Sequence, residues 1–350
     1  MLFISRFVEQ IKEAQKSLFF IFIFPPFFEY RYSIKNFGGR EMTEYLPEGS
    51  LIETVKNKNA LSSVENLKEA QKNKTILEAF ATVCTAKHDL ILDLGVMRGI
   101  IPRNEGAIGI ETGETRDIAL ISRVSKPVCF IITGFEKDKN GRLTAVCSRK
   151  LVQEECTANY LDKLVPGDII PAVVTHMENF GCFADIGCGI SSLLPIDSIS
   201  VSRIGHPSDR FKSGMEIFAV VSGRDPSGRI CISHKELLGT WEENAANFAP
   251  GETVSGIIRS VEDYGVFVEL APNLAGLAES CSRLKPGQQA SVYIKSLIPE
   301  KMKIKLIIVD AFDSENEPKA PEYFITKGHM YFWRYSPENC SKNVSVDFCR

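Results

Sequence analysis

The chain repeats itself. Pro166-Gly167-Asp168 returns as Pro250-Gly251-Glu252, and Phe180-Gly181-Cys182-Phe183 returns as Tyr264-Gly265-Val266-Phe267, both at an offset of 84 residues. Two motifs that share one offset define a duplicated unit, and each copy must then build the same kind of core. A weaker copy precedes them. Residues 76–95, ILEAFATVCTAKHDLILDLG, lie on residues 168–187 at an offset of 92, so that Asp93-Leu94-Gly95 meets Asp185-Ile186-Gly187.

Each copy reads as short strands. In the last one Thr253 to Val261 is β-branched and alternating, Gly265 to Leu270 forms a second run, and Val292 to Leu297 and Lys303 to Val309 supply two more. Runs of this length separated by Gly, Pro and Asn predict small barrels. The period changes between copies. Leu151 to Leu164 and Lys235 to Phe248 lack internal proline, and Leu237, Leu238, Trp241, Ala245 and Phe248 share one helical face. Leu51 to Lys72 also reads as an amphipathic helix. The expected organisation is a leader over 1–41, a helical segment over 42–74, barrels over 75–150, 166–234 and 250–310 joined by helices over 151–165 and 235–249, and a tail over 311–350. The tail shows no repeat, but Tyr323-Phe324 and Tyr331-Phe332-Trp333 give it aromatic residues with which to cover another element.

Composition narrows the function. With 44% hydrophobic residues the chain can fill several cores. It holds 41 Lys+Arg against 44 Asp+Glu, a net charge of −3, which argues against a strongly basic nucleic-acid wrapper. Ten cysteines run from Cys84 to Cys349 without a CxxC pair, which supports free thiols in a reducing cytoplasm better than disulfides or zinc. The apolar run Leu18 to Phe28, LFFIFIFPPFF, is shorter than the roughly 20 residues that cross a bilayer, and Pro25 and Pro26 break it. Gly38-Gly39-Arg40 can be written in codons as a purine-rich ribosome-binding site just before Met42. Translation is therefore expected to start at Met42, with residues 1–41 not native protein; the alternative is a genuine, poorly ordered leader.

The chemistry is carried by paired aromatics beside scattered basic residues. Phe180 and Phe183 are three apart, but a bend at Gly181 can bring both rings to one surface; Tyr264, Gly265 and Phe267 repeat the arrangement. Exposed rings on a barrel stack with unpaired bases, worth about 1–3 kcal/mol per base. A single pair would be read as core; two copies in register favour a binding surface. Alternation places Lys301, Lys303 and Lys305 on one strand face, where they could track phosphates. Arg203, His206, Arg210 and Lys212 crowd a loop of the middle copy. Charge ranks no copy as a strong electrostatic funnel: residues 75–150 are net +2, 166–234 net −2 and 250–310 neutral.

Residues 166–234 and 250–310 resemble S1 domains, the OB-fold RNA-binding modules named for the largest small-subunit ribosomal protein. The resemblance rests on the opening PGD or PGE, on FGCFADIG and YGVFVEL, on DRFKSG (209–214) and DPSGRICIS (225–233), and on AGLAE (275–279) and Lys285-Pro286-Gly287. Residues 75–150 resemble a degenerate copy. The order is similar to the shorter multi-repeat S1 homologues of some bacteria. The resemblance implies a mainly β chain of tandem five-stranded OB barrels joined by short helices. It implies RNA on two strand aromatics, on a histidine after the third strand and on an Asp/Arg pair near the last strand. Carried over, these are Phe180, Phe183, Asp225 and Arg229 in the middle copy, with Pro195 where the histidine would be. In the last copy they are Tyr264 and Phe267, with Glu279, Pro299 and Lys303 departing from the pattern. In the first, His88, Ile91 and Pro102 replace the aromatics and histidine, while Asp138 and Arg142 remain. The first copy therefore lacks the stacking platform.

The expected function is non-catalytic binding of single-stranded RNA or mRNA, with the small ribosomal subunit in translation. The alternatives are an accessory subunit of an RNA-processing or RNA-degrading enzyme, since such modules also append to these enzymes, and a protein-interaction scaffold. No P-loop, HExxH or nucleophile elbow is present, and the five histidines are scattered. No cofactor, metal, membrane or small-molecule substrate is expected.

Overall fold

The computed structural model describes residues 45–137, 141–281, 283–313 and 318–349. The reading of residues 1–41, and Asp138, fall outside that range.

Three closed five-stranded barrels follow one another. The first holds β1 (Leu77–Cys84), β2 (Leu90–Asp93), β3 (Arg98–Ile101), β4 (Pro127–Lys137) and β5 (Leu143–Ser148). The second holds β6 (Ile169–Glu178), β7 (Gly181–Asp185), β8 (Ser191–Pro195), β9 (Glu216–Arg224) and β10 (Ile230–Ser233). The third holds β11 (Thr253–Glu262), β12 (Gly265–Ala271), β13 (Leu274–Ala278), β14 (Gln289–Ile298) and β15 (Lys303–Phe312). In every barrel the first three strands form an antiparallel meander, and the third pairs in parallel with the fifth, as in Leu193 against Cys231 and Leu277 against Lys305. This is the OB arrangement, and closure leaves no free sheet edge.

Alternation builds each core. In barrel 3, Val266, Val268, Val292, Ile294, Ile304 and Leu306 point inward and are buried, while their neighbours point out. Barrel 2 is filled from the same positions by Cys182, Ala184, Ala219, Val221 and Ile232, and barrel 1 by Leu90, Leu92, Phe130, Ile132 and Cys147. Each Val, Leu, Ile or Phe among them contributes about 1.5–3 kcal/mol on burial.

The helices are shorter than the sequence suggests. The run expected to be helical from Leu51 to Lys72 is two pieces, α1 (Val55–Ala60) and α2 (Val64–Lys72), because Thr54 and Ser63 each cap a new start by accepting from the backbone N–H three residues on. Between β3 and β4 lies the single-turn α3 (Ile118–Ile121). Between barrels 1 and 2 lies α4 (Lys150–Asn159), followed by a 3₁₀ turn. The second connection is a 3₁₀ turn (Lys235–Leu238) and α5 (Trp241–Ala245), divided by Gly239 at φ +81°, which no continuous helix accommodates.

Buried ionic junctions join the barrels. Between the first two, the Glu48 carboxylate accepts from Arg149 Nε at 2.6 Å, Arg123 Nη1 at 2.9 Å and the Cys129 N–H at 3.1 Å, and the Glu48 N–H donates to Asp185 at 2.8 Å. Between the second and third, Glu269 of β12 accepts from Arg210 and from Arg259, the latter at 2.8 and 3.1 Å. The tail then straps both. The Met330 N–H donates to Gly167 O at 2.8 Å, the Phe324 N–H to Leu237 O and the backbone N–H of Trp241 to Tyr335 O, and β16 (Phe332–Arg334) pairs with β17 (Ser345–Asp347). Met330, Trp333, Tyr335 and Phe348 join the apolar cluster of barrel 3.

Candidate nucleic-acid interface

The register assembles one outward-facing row on each barrel. In barrel 2, β6, β7, β8 and β10 bring His176, Phe183, Leu193 and Cys231 side by side. In barrel 3 the same row is Ser260, Phe267, Leu277 and Lys305. In barrel 1 it is Val83, Ile91, Ile100 and Val146.

The second ring of each pair stands at the turn before the row. Phe180 is 56% exposed and its ring lies 6.2 Å from that of Phe183, edge to face at 86°; Tyr264 is 69% exposed and lies 6.1 Å from Phe267 at 85°. Phe183 and Phe267 are half-buried. The glycine between the rings is required. A Cβ on Gly181 would sit 2.4 Å from the Leu194 carbonyl oxygen, and one on Gly265 would sit 2.5 Å from that of Ala278, at φ +155° and +156°. The third strand thus passes close under the turn, and only a residue without a side chain lets both rings lie on one face. The geometry repeats almost unchanged across two barrels that differ in most of their residues.

Barrel 1 lacks the pair. Ile91 is aliphatic, and His88, at φ +64°, is drawn 3.3 Å from Asp117. Arg103 bonds the same Asp117 at 2.6 Å.

The charged residues divide. The Asp225 carboxylate accepts from the Ser227 and Arg229 N–H groups at 2.8 and 2.9 Å, so it shapes the β9–β10 turn. Its contact with the Arg229 guanidinium is a loose 3.8 Å, and that side chain is 76% exposed, two residues before Cys231 of the row. Lys303 and Lys305 are exposed on β15, with Lys305 in the row next to Leu277. Two expectations need correction. Lys301 does not share that strand face: it ends a 3₁₀ turn (Pro299–Lys301), and Met302 in the left-handed region resets the chain before β15 begins. Arg210 is not a loop cation facing RNA. It is buried, its two terminal nitrogens held by Glu269 of the next barrel, and it serves the junction.

The position expected to hold a histidine is taken by Pro195, which pairs with Gly181 at the end of β8 and offers no donor. An imidazole nevertheless reaches this face from another strand. His176 lies opposite Phe183, well exposed, with Nε2 2.7 Å from Glu178. Only the bulge between Val174 and His176 turns it outward, and no repeat marks it, since Ser260 occupies the place in barrel 3.

Among the described residues no group of three or more His, Cys, Asp or Glu side chains could hold a metal ion, and no helix is long and apolar enough to cross a membrane. Every described cysteine is a free thiol.

Comparison with known proteins fits this geometry. Residues 163–235, the middle barrel with its flanks, match the S1 RNA binding domain family. Over 293 residues the chain is 28% identical to small ribosomal subunit protein bS1 of Staphylococcus haemolyticus, covering 79% of this chain and 72% of that one. It is 29% identical over 236 residues to the bS1 homolog of Bacillus subtilis, covering 66% and 59%. It is 26% identical over 238 residues to bS1 of Rhizobium meliloti, covering 63% and 40%.

Proposed function

We propose that this chain, whose middle barrel is an S1 RNA binding domain and which is similar over most of its length to small ribosomal subunit protein bS1, binds single-stranded RNA and acts with the small ribosomal subunit in translation. The observation that carries the reading is the ring pair, one ring exposed and the other half-buried, repeated on barrels 2 and 3. Unpaired bases stack on such rings with little sequence preference, because every base has a π-face. Arg229, immediately before β10, and Lys303 and Lys305, on β15, are exposed where those strands complete the same rows, and there they would meet the backbone of a bound strand. Barrel 1, with an aliphatic row, contributes position rather than stacking. No catalytic step is needed: the protein holds mRNA unpaired near the subunit, in the cytoplasm. Each barrel alone binds weakly, and the tandem compensates by effective concentration when one strand spans both platforms.

Binding to single-stranded RNA, duplex RNA and DNA tests this directly. Phe180→Ala and Tyr264→Ala each remove an exposed ring, and each should weaken single-strand binding about tenfold with the circular dichroism spectrum intact. Sedimentation of the native protein should place it with small subunits. Equal affinity of wild type and both variants would remove the stacking reading, and no RNA binding at all would favour a protein scaffold.

A further inference from the structure

Pairing of the fourth and fifth strands aligns the barrels residue by residue. Ile131 opposite Ser148 in barrel 1 corresponds to Val220 opposite Ser233 in barrel 2 and to Tyr293 opposite Ile307 in barrel 3. Each ladder has an irregularity at the same place, so that Thr133, Ser222 and Lys295 also correspond; barrel 3 has a second one, between Ser291 and Val292.

In the first two barrels this face is covered. Ile131 and Val220 are 4% and 0% exposed. Ile131 lies in one cluster with Val152 and Cys156 of α4; Val220 lies with Leu237, Trp241 and Met330. In barrel 3 no described segment covers it. Tyr293 and Ile307 are 37% and 45% exposed, and Val309 and Phe312 continue the open strip. The residue types change at the same positions. An aliphatic side chain becomes tyrosine at 293, and a threonine or serine becomes lysine at 295. The row position held by Val146 and Cys231 becomes Lys305. Lys295, Lys303 and Lys305 are exposed and form no ion pair among the described residues. The strip is continuous with the ring pair, running from Phe267 through Leu277 to Lys305 and then to Ile307 and Tyr293.

We propose that the RNA strand leaving the Tyr264–Phe267 pair continues across β15 onto β14, its phosphates drawn by Lys305 and Lys295 and a further base stacked on Tyr293 beside Ile307. This rests on the single-stranded RNA reading above and deepens it. Barrel 3 thereby holds a longer stretch of RNA than barrel 2, whose equivalent face lies under the linker and tail. The occupant is nucleic acid rather than protein because the open face gains an aromatic ring and cations together, the pairing that suits a polyanion of stacked bases.

Fluorescence anisotropy of the full chain with oligouridylates from about 4 to about 16 nucleotides provides the test. Tyr293→Ala should weaken binding of the longest oligomer about tenfold and leave the shortest within about twofold, whereas Tyr293→Phe should keep wild-type affinity at every length. A 4-thiouridine-substituted oligomer should crosslink to the peptide carrying Tyr293. If wild type binds RNA, Phe180→Ala and Tyr264→Ala weaken it and Tyr293→Ala changes nothing at any length, the extension is wrong while the stacking reading stands. If wild type binds no RNA, both fall. Should Tyr293→Ala instead abolish a concentration-dependent dimer in sedimentation velocity, the strip is a contact between copies and the extension is again wrong.

Discussion

The imidazole of His234 is buried between barrel 2 and the tail, with Phe211 and Tyr323 edge-on to it at ring-centroid distances of 5.0 and 5.4 Å. Nδ1 lies 2.8 Å from the Ile199 carbonyl and so carries the proton; Nε2 accepts from the Tyr323 hydroxyl at 3.0 Å, whose oxygen accepts from the Phe218 N–H. Burial pushes this histidine down to about 4 from an ordinary 6.5. Between those values the unfolded chain binds a proton that the folded protein refuses. The stability that this residue contributes therefore rises with pH across that window and falls by roughly 3 kcal/mol as pH drops from 6.5 to 4. Glu78 and Asp185, raised by burial to about 7, act oppositely, since the folded protein protonates them first. Urea denaturation of wild type and His234→Gln isolates the histidine: the stability advantage of wild type at pH 7 should shrink steadily toward pH 4.5. A pH-independent difference would mean that the imidazole takes up its proton as readily in the folded protein as in the unfolded chain. Such a residue shows how far single positions were legible. The repeat was enough to single out Phe180 and Tyr264, because a local motif makes their platform. Arg210 was misread because its partner, Glu269, lies 59 residues away and nothing local announces that contact. Lys301 was misread because one left-handed residue, Met302, shifts the alternation.

At the scale of elements, the strands followed from alternation and the helices did not. A strand needs only period-two burial, which each barrel core enforces. The connection after barrel 2 has the apolar spacing of one helix, yet it lies between two surfaces: Leu237 and Trp241 share one cluster with Ile169 and Val220 of barrel 2 and with barrel 3 and the tail, while Asn273 of the β12–β13 turn donates to the Lys235 and Gly239 carbonyls at 2.8 and 3.0 Å. The junction's ions share that dependence on the neighbouring barrel. Glu269 is 5% exposed, between Arg210 at 8% and Arg259 at 9%, with Asp209 3.4 Å from Arg259. Glu269→Gln keeps the shape and removes the charge, leaving two buried guanidinium groups facing one carboxylate. Breaking a buried pair costs about 3–5 kcal/mol. We expect Glu269→Gln to lower the unfolding free energy from urea denaturation by that order, with the barrel signal in circular dichroism retained below the transition. A loss under about 1 kcal/mol would show the cluster to be solvated in solution.

For the molecule as a whole, bulk charge works against nucleic acid: the chain is net −3, and the middle barrel is net −2. Any affinity has to come from rings and from a few well-placed cations. Arg229, Lys303 and Lys305 are exposed at the strands that complete the two aromatic rows, and Lys295 lies on the open face of barrel 3. Each phosphate neutralised on a single strand contributes about −0.7 to the slope of log affinity against log salt, so three or four contacts give about −2 to −3. A protein that wraps RNA electrostatically would show a slope of about −6 or steeper. The two sources of binding then separate by experiment. Raising salt from about 50 to about 200 mM should weaken wild type by only about tenfold to a hundredfold, and Tyr264→Ala should lower affinity by a constant factor without changing the slope. Lys305→Ala should do the reverse, flattening the slope by somewhat under one unit while retaining the preference for single strands over duplex. A slope unchanged by Lys305→Ala would mean that the backbone does not pass over β15, and the path of the strand across barrel 3 would have to be redrawn.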